Sequence, residues 1–149
     1  MIMSTLAYLK RDGKTLMLEK GRGYQIGKFN GLGGKFDKAE TPEECVIREV
    51  REESGFVVKS MQLKGFITFP NFDGDNDWFV FIYVVDDFSG ELKASDEGKL
   101  HWIDDNEVIE QNIWPGDKVF LPWLEQDKIF SAKFNYKNGE FVDYEVVFY

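Results

Sequence analysis

Cysteine, proline and long hydrophobic runs are scarce in this sequence of 149 residues. The one cysteine, Cys45, has no partner for an internal disulfide, so we expect a reducing, cytoplasmic location. No apolar run approaches the roughly 18–20 residues of a membrane-spanning helix, and the first residues show no pattern of a secretion signal. The composition therefore predicts a single domain over residues 1–149 that is not held by disulfides and does not partner with a membrane.

Positive charge is also in short supply. The chain has 18 Lys and Arg residues against 27 Asp and Glu residues, which gives a formal net charge of −9. Proteins that coat DNA or RNA normally carry a basic excess, so we do not expect a polynucleotide as partner. The charge is uneven, because residues 1–36 carry a net +5 and residues 71–110 a net −10. The cationic first segment favours an anionic ligand beside it.

Strand and helix patterns alternate in a way that predicts an α+β fold with a mixed sheet. The turn dipeptides Asp12-Gly13 and Asn138-Gly139 each predict a hairpin. Runs rich in β-branched and aromatic residues predict strands at 5–19 (two strands), 62–69, 78–85, 100–103, 130–137 and 140–148. Residues 70–77 are expected to form a loop, with a short helix from residue 104 and a second helix over 118–126.

A helix start and a helix stop frame the central part of the chain. Thr41 followed by Glu44 forms a capping-box pattern, and Pro42 suits the first helical position. Gly55 favours helix termination. We therefore expect a helix over residues 42–54.

Three glutamates share one face of this helix. Glu49, Glu52 and Glu53 stand at i, i+3 and i+4, so at about 100° per residue they cluster within roughly a third of the circumference. Neighbouring carboxylates repel one another, whereas Mg²⁺ takes oxygen ligands and joins carboxylates to phosphates. Arg48 lies four residues before Glu52 and can orient it. The spacing alone leaves open a metal site and a solvated acidic helix face.

The surrounding sequence, GKFDKAETPEECVIREVREESGF, resembles the Nudix box. That box runs glycine, five residues, glutamate, seven residues, and then R-E-apolar-x-E-E-x-G-apolar. The chain matches it at every specified position, namely Gly34, Glu40, Arg48, Glu49, Val50, Glu52, Glu53, Gly55 and Phe56. These matches favour the metal site over the solvated face.

The resemblance implies a Nudix fold, with a mixed sheet in an α/β/α sandwich. It also implies hydrolysis of a nucleoside diphosphate linked to another group, with Mg²⁺ as cofactor and Mn²⁺ able to replace it. The implied metal ligands are Glu49, Glu52, Glu53, Glu97 and a backbone carbonyl of Gly33 or Gly34. The implied catalytic residues are Glu53, which would hold or deprotonate the attacking water, together with Glu52, Arg48 and Glu97.

Segments outside the box resemble the MutT-like oxidised purine nucleoside triphosphatases. These segments are KGRGYQIGKFNGLGGK before the box, and SDEG and IWPGD after it. They imply a purine nucleoside triphosphate as substrate, 8-oxo-dGTP or dGTP, cleaved to the monophosphate and pyrophosphate. The implied substrate-binding residues are Asn30 and Asp117 at the base edge, Trp114 as a stacking surface, Tyr24, Phe69 and Trp78 as pocket walls, and Lys20 at the triphosphate or pocket.

One position departs from that resemblance. The eukaryotic members have two adjacent acids after a Trp-Pro pair, whereas here Gly116 stands before Asp117. The preference between oxidised and ordinary purines is therefore left open. Two rival functions also stay open: a Nudix hydrolase of an RNA 5′ end, a dinucleoside polyphosphate or a nucleotide sugar, and a module that senses a nucleotide without cleaving it. A small-molecule nucleotide is the expected partner, and the oligomeric state is not predicted.

Overall fold

Two long antiparallel strands form the centre of a mixed sheet. A computed structural model describes residues 1–149. The elements in chain order are β1 (Ile2–Arg11), β2 (Lys14–Lys20), β3 (Phe29–Asn30), β4 (Leu32–Lys35), α1 (Pro42–Ser54), β5 (Val57–Asp73), β6 (Asn76–Ser89), β7 (Gly98–Asp104), a 3₁₀ helix (Asp105–Glu110), α2 (Pro115–Phe120), a second 3₁₀ helix (Leu121–Glu125), β8 (Phe130–Lys137) and β9 (Glu140–Phe148).

The pairing of these strands alternates between parallel and antiparallel. β6 pairs with β5 in antiparallel fashion and with β1 in parallel, and β5 pairs in parallel with β8. β4 lies antiparallel to β1, and β9 lies antiparallel to β8. β2 extends the sheet beyond β1 and carries β3 and β7 on its two sides. The predicted α+β architecture with a mixed sheet is confirmed.

The two faces of the sheet bury separate hydrophobic clusters. Neighbouring residues of a strand point to opposite faces, and in β1 Tyr8 joins the cluster that includes Phe120 of α2, whereas Leu9 joins the cluster that includes Val46 and Val50 of α1. Helices therefore cover the sheet on both sides. β1 carries buried apolar residues toward both faces, as expected for a strand with a parallel neighbour.

α1 begins and ends where the sequence predicts. The Thr41 side chain accepts from the backbone N–H of Glu44, the Glu44 side chain accepts from the N–H of Thr41, and Gly55 adopts a left-handed φ of 83°. Because this geometry satisfies free backbone groups at both ends, the helix is fixed in length. α1 has 13 residues, and no helix is long and apolar enough to cross a membrane.

Two expectations for the secondary structure are wrong, and two strands were not expected. The segment 70–77 is not a loop, because β5 continues to Asp73 and β6 begins at Asn76, with an irregular register between Phe69 and Asp73. The second helix begins at Pro115 rather than at residue 118, and continues as a 3₁₀ helix from Leu121. The glycine-dense segment before the box contains β3 and β4, for which the sequence showed no strand pattern.

Candidate active site

The glutamates of α1 differ sharply in their exposure. The side chain of Glu52 is 61% exposed and that of Glu49 is 15% exposed, whereas Glu53 as a residue is 4% exposed. Glu53 Oε1 accepts a hydrogen bond of 2.8 Å from the backbone N–H of Gly33 in β4. This bond fixes the buried carboxylate between helix and sheet.

Gly33 and Gly34 allow β4 to lie directly between β1 and α1. A Cβ on Gly33 would lie 2.0 Å from the carbonyl oxygen of Thr5, and a Cβ on Gly34 would lie 2.5 Å from Glu49 Oε1. Glycine is therefore required at both positions. Gly33 lies too close to the backbone of β1, and Gly34 too close to the Glu49 carboxylate, to carry a side chain.

We expect Gly33→Ala to destabilise the protein by about 1–3 kcal/mol, because its methyl group would force β4 away from β1. Chemical denaturation measures this loss. Gly21→Ala is the matched control, since its Cβ would meet nothing nearer than 3.4 Å. Equal stability of the two variants would contradict the close packing of β4 on β1.

Arg48 organises the carboxylates around the start of the site. Its Nε donates to Glu40 Oε2 at 2.6 Å, and its Nη1 donates to Glu49 Oε1 at 2.8 Å. The expected pair with Glu52 is present at 3.3 Å and is its longest carboxylate contact. The hydrogen bond from Arg48 is the main cause that lowers the pKa of Glu40 to about 2. Arg48 thus makes shorter hydrogen bonds to Glu40 and Glu49 than to Glu52, the partner that the sequence spacing predicts.

Glu97 approaches Glu53 from the loop before β7. Its Oε2 lies 3.4 Å from Nζ of Lys20. Burial, followed by the contact with the Glu97 side chain, raises the pKa of Glu53 to about 9. Burial also raises the pKa of Glu49, and Glu52 and Glu97 add to this effect. The negative charge of Glu97 therefore disfavours ionisation of both Glu49 and Glu53.

This donor set fits a hard divalent cation. The site supplies carboxylate oxygens and the carbonyls of a glycine strand, which are the ligand type of Mg²⁺. No group of three acidic, histidine or cysteine side chains forms a ready metal cage in the structure. Instead, Nη1 of Arg48 donates hydrogen bonds to the carboxylates of Glu49 and Glu52. A cation would relieve the repulsion between carboxylates that now have only Arg48, Lys20 and one backbone N–H as partners.

A cavity of about 640 Å³ opens beside these acids. Its lining includes Gly33, Gly34, Glu49 and Glu97 at one end. Most of the predicted substrate-binding residues also line it, namely Lys20, Asn30, Phe69, Trp78, Trp114 and Asp117. The volume lies within the range of about 300–1,000 Å³ that is common for small-ligand sites. One cavity therefore joins Glu49 of the box, together with Glu97, to the predicted base-binding side chains, whereas Glu52 and Glu53 do not line it.

Asp117 is an ionisable group among the aromatic side chains that line the cavity. It is 7% exposed, and burial raises its pKa to about 7 despite the positive charge of Lys28. Nδ2 of Asn30 and Nε1 of Trp78 are buried without a hydrogen-bond partner. Because unpaired buried polar groups cost free energy, these atoms are suited to a ligand that supplies the missing partners.

Tyr24 lies outside this cavity. It is 80% exposed and borders a second cavity, of about 610 Å³, between the tips of the β5–β6 and β8–β9 hairpins. Trp78 and Trp114 separate the two cavities and line both. The structure thus brings the other predicted pocket residues together and leaves Tyr24 at the outer side of the wall.

Sequence reasoning missed Phe72 and Tyr136, which line both cavities. Phe72 falls in the segment 70–77 for which the sequence predicts a loop, and Tyr136 lies 80 residues after the last position of the box. Alternation along β8 was the available signal, because it places Tyr136 on the same face as the buried Phe134.

Three comparisons with known proteins agree with this site. The NUDIX domain model matches residues 3–124. The chain is 38% identical over 124 residues to the Nudix hydrolase YvcI of Bacillus subtilis (strain 168). The matched region covers 80% of this chain and 77% of that protein. It is 33% identical over 139 residues to the oxidized purine nucleoside triphosphate hydrolase of Danio rerio, covering 93% of this chain and 88% of that protein.

A solved structure extends the likeness to nearly the whole chain. The crystal structure of a MutT protein from Bacillus halodurans superposes with a TM-score of 0.88 at 30% identity, covering 98% of this chain and 97% of that one. Nudix enzymes bind small nucleotide substrates, act on nucleoside diphosphate-linked compounds and generally use a divalent metal. The match to the domain model over most of the chain, together with these relatives, shows that this chain belongs to the Nudix family of pyrophosphohydrolases.

Proposed function

We propose that this Nudix hydrolase cleaves a purine nucleoside triphosphate, 8-oxo-dGTP or dGTP, to the monophosphate and pyrophosphate, with Mg²⁺ as cofactor. The observation that carries the proposal is the continuous cavity that reaches from Glu49 and Glu97 to Asn30 and Asp117. A nucleotide needs both ends, because its phosphates require cations and its base requires stacking and edge contacts.

The aromatic end of the cavity suits a purine ring. The aromatic side chains in its lining are Phe36, Phe69, Phe72, Trp78, Trp114, Phe120 and Tyr136. Stacking of a base on an aromatic ring contributes about 1–3 kcal/mol in nucleic-acid complexes. Asn30 and Asp117 add an amide and a carboxyl group, which can pair with the donors and acceptors of a base edge.

The other end of the cavity suits a triphosphate. Lys20 and Lys35 line it, and both belong to the segment 1–36 that carries the excess of positive charge. Their ammonium groups are donors to phosphate oxygens. Lys35 Nζ also lies 5.4 Å from the centre of the Trp78 ring, so it stands between the aromatic walls and the box.

In the proposed reaction, Mg²⁺ held by Glu49, Glu52 and Glu53 would supply positive charge that neutralises the phosphates and activates water for attack on phosphorus. Glu53 is held by the Gly33 N–H, and burial together with the negative charge of Glu97 raises its pKa, so Glu53 is suited to accept the proton of that water. Lys20 steadies Glu97 through their ion pair. Arg48 orients Glu49 through the hydrogen bond from its Nη1 to Glu49 Oε1.

A turnover panel tests the proposal. We expect Mg²⁺-dependent release of pyrophosphate from 8-oxo-dGTP or dGTP, with higher kcat/KM than for pyrimidine triphosphates, dinucleoside polyphosphates, nucleotide sugars or RNA 5′ ends. A higher kcat/KM for one of these other classes would replace the purine assignment with that class. Tight nucleotide binding without turnover of any of them would instead indicate a sensing module.

A further inference from the structure

Position 116 has no room for a side chain. A Cβ built on Gly116 would lie 2.5 Å from the hydroxyl oxygen of Tyr136 and 2.7 Å from a ring carbon of Phe134. The backbone N–H of Gly116 donates to that same hydroxyl oxygen at 2.8 Å. The tyrosine hydroxyl therefore occupies the space that any residue other than glycine would fill, directly before the buried Asp117.

The hydroxyl proton of Tyr136 is free for a ligand. The oxygen already accepts from Gly116, and no group of the protein accepts its proton. Burial, followed by the charge of Asp117, raises the pKa of Tyr136, so the group stays a neutral donor at physiological pH. Since Tyr136 lines the main cavity, its donor lies beside Asp117 at the aromatic end.

Aromatic neighbours fix the orientation of the Tyr136 ring. The ring centroids of Phe72 and Trp114 each lie 6.0 Å away, in edge-to-face arrangements of 81° and 87°. Phe141 packs at 5.3 Å from across the β8–β9 pair. A donor held by three rings and a backbone N–H is preorganised, which favours selective recognition over general affinity.

We propose that Tyr136 is a specificity-determining residue at the aromatic end of the cavity of about 640 Å³. Its hydroxyl donates a hydrogen bond to an acceptor on the base edge, either a carbonyl oxygen or an unprotonated ring nitrogen, next to the contact made by Asp117. This inference rests on the proposed purine triphosphatase activity. It also gives the glycine at position 116 a role, because only glycine lets the tyrosine donor reach this place.

The test compares Tyr136→Phe with the unchanged chain on 8-oxo-dGTP, dGTP, 8-oxo-dATP and dATP. A neutral hydrogen bond is worth roughly three- to tenfold in affinity. We expect a loss of this size in kcat/KM for the preferred triphosphate, through KM rather than kcat, and less than about a twofold change for the least preferred. The selectivity ratio between the two substrates therefore falls.

Two further variants separate recognition from packing. Gly116→Ala keeps the hydroxyl but displaces it, so it should lower the same selectivity ratio, and adding it to Tyr136→Phe should lower the ratio no further. Tyr144→Phe removes a tyrosine hydroxyl from β9 outside the cavity and should leave all four substrates unchanged. Equal losses for all substrates in Tyr136→Phe, or an unchanged ratio in either cavity variant, would overturn the role of Tyr136. Absence of turnover of every purine triphosphate by the unchanged chain would overturn the proposed function itself.

Discussion

Replacement of Glu53 by Gln is expected to lower kcat at least about 100-fold, which corresponds to about 2.7 kcal/mol of barrier. The amide keeps the size of the side chain and can still accept from Gly33 N–H, so the fold should stay intact. It cannot carry the negative charge that a metal ligand or a proton acceptor needs. Steady-state turnover with saturating Mg²⁺ measures the effect, and Glu110→Gln, an exposed acid on the first 3₁₀ helix, is the matched control.

The same substitution should raise the stability of the metal-free protein. Glu53 has its pKa raised from 4.5 to about 9 in the fold, so the folded state binds a proton that the unfolded chain has released. The free energy of unfolding therefore falls as pH rises from about 4.5 toward 9. Gln does not ionise and therefore removes this loss of stability. In thermal melts at pH 8 with a chelator, the variant should have a higher melting temperature than the unchanged chain. Near-normal turnover of Glu53→Gln would remove Glu53 from the proposed mechanism.

Replacement of Asp117 by Asn has the second-largest expected effect. If Asp117 pairs with the base edge, its loss should lower kcat/KM for the purine triphosphate by roughly 10- to 100-fold, since hydrogen bonds to charged groups are worth about 1.5–3 kcal/mol. The substitution should act through KM, because Asp117 lies at the aromatic end of the cavity and not among the box acids.

Asp117 should also give the ligand-free protein a pH-dependent stability. Burial raises its pKa from 3.8 to about 7, so the folded state holds the proton between these values and the unfolded state does not. The free energy of unfolding therefore decreases from pH 4 to pH 7, by about 3–4 kcal/mol. In chemical denaturation, the free energy of unfolding of Asp117→Asn should equal that of the unchanged chain at pH 4 and exceed it at pH 8. A difference that is the same at both pH values would contradict a buried, titrating carboxyl group.

The local signals in the sequence predicted α1 well because its determinants are local. Capping residues, a terminating glycine and the spacing of three glutamates lie within one segment, and none of them depends on distant packing. The hairpin at Asn138-Gly139 was predicted for the same reason. By contrast, β4 is made of Leu32, two glycines and Lys35, and it is a strand only because β1 supplies its partner.

The cavity of about 640 Å³ was harder to predict because its walls are brought together by long-range pairing. Resemblance pointed to Asn30, Trp114 and Asp117, and they do line one cavity. It could not indicate Tyr136, whose position depends on the parallel pairing of β8 with β5. It also placed Tyr24 in the pocket wall, although the fold of the glycine segment leaves that ring exposed.

The only thiol of the protein lies at the seam between α1 and the sheet. Cys45 is fully buried, with Sγ 3.3 Å from Thr5 Oγ1 of β1 and 3.5 Å from the carbonyl oxygen of Gly34 in β4. A thiol reagent can reach it only when the box helix separates from these two strands. The rate of alkylation of the native chain therefore measures, without an engineered label, how often α1 separates from β1 and β4.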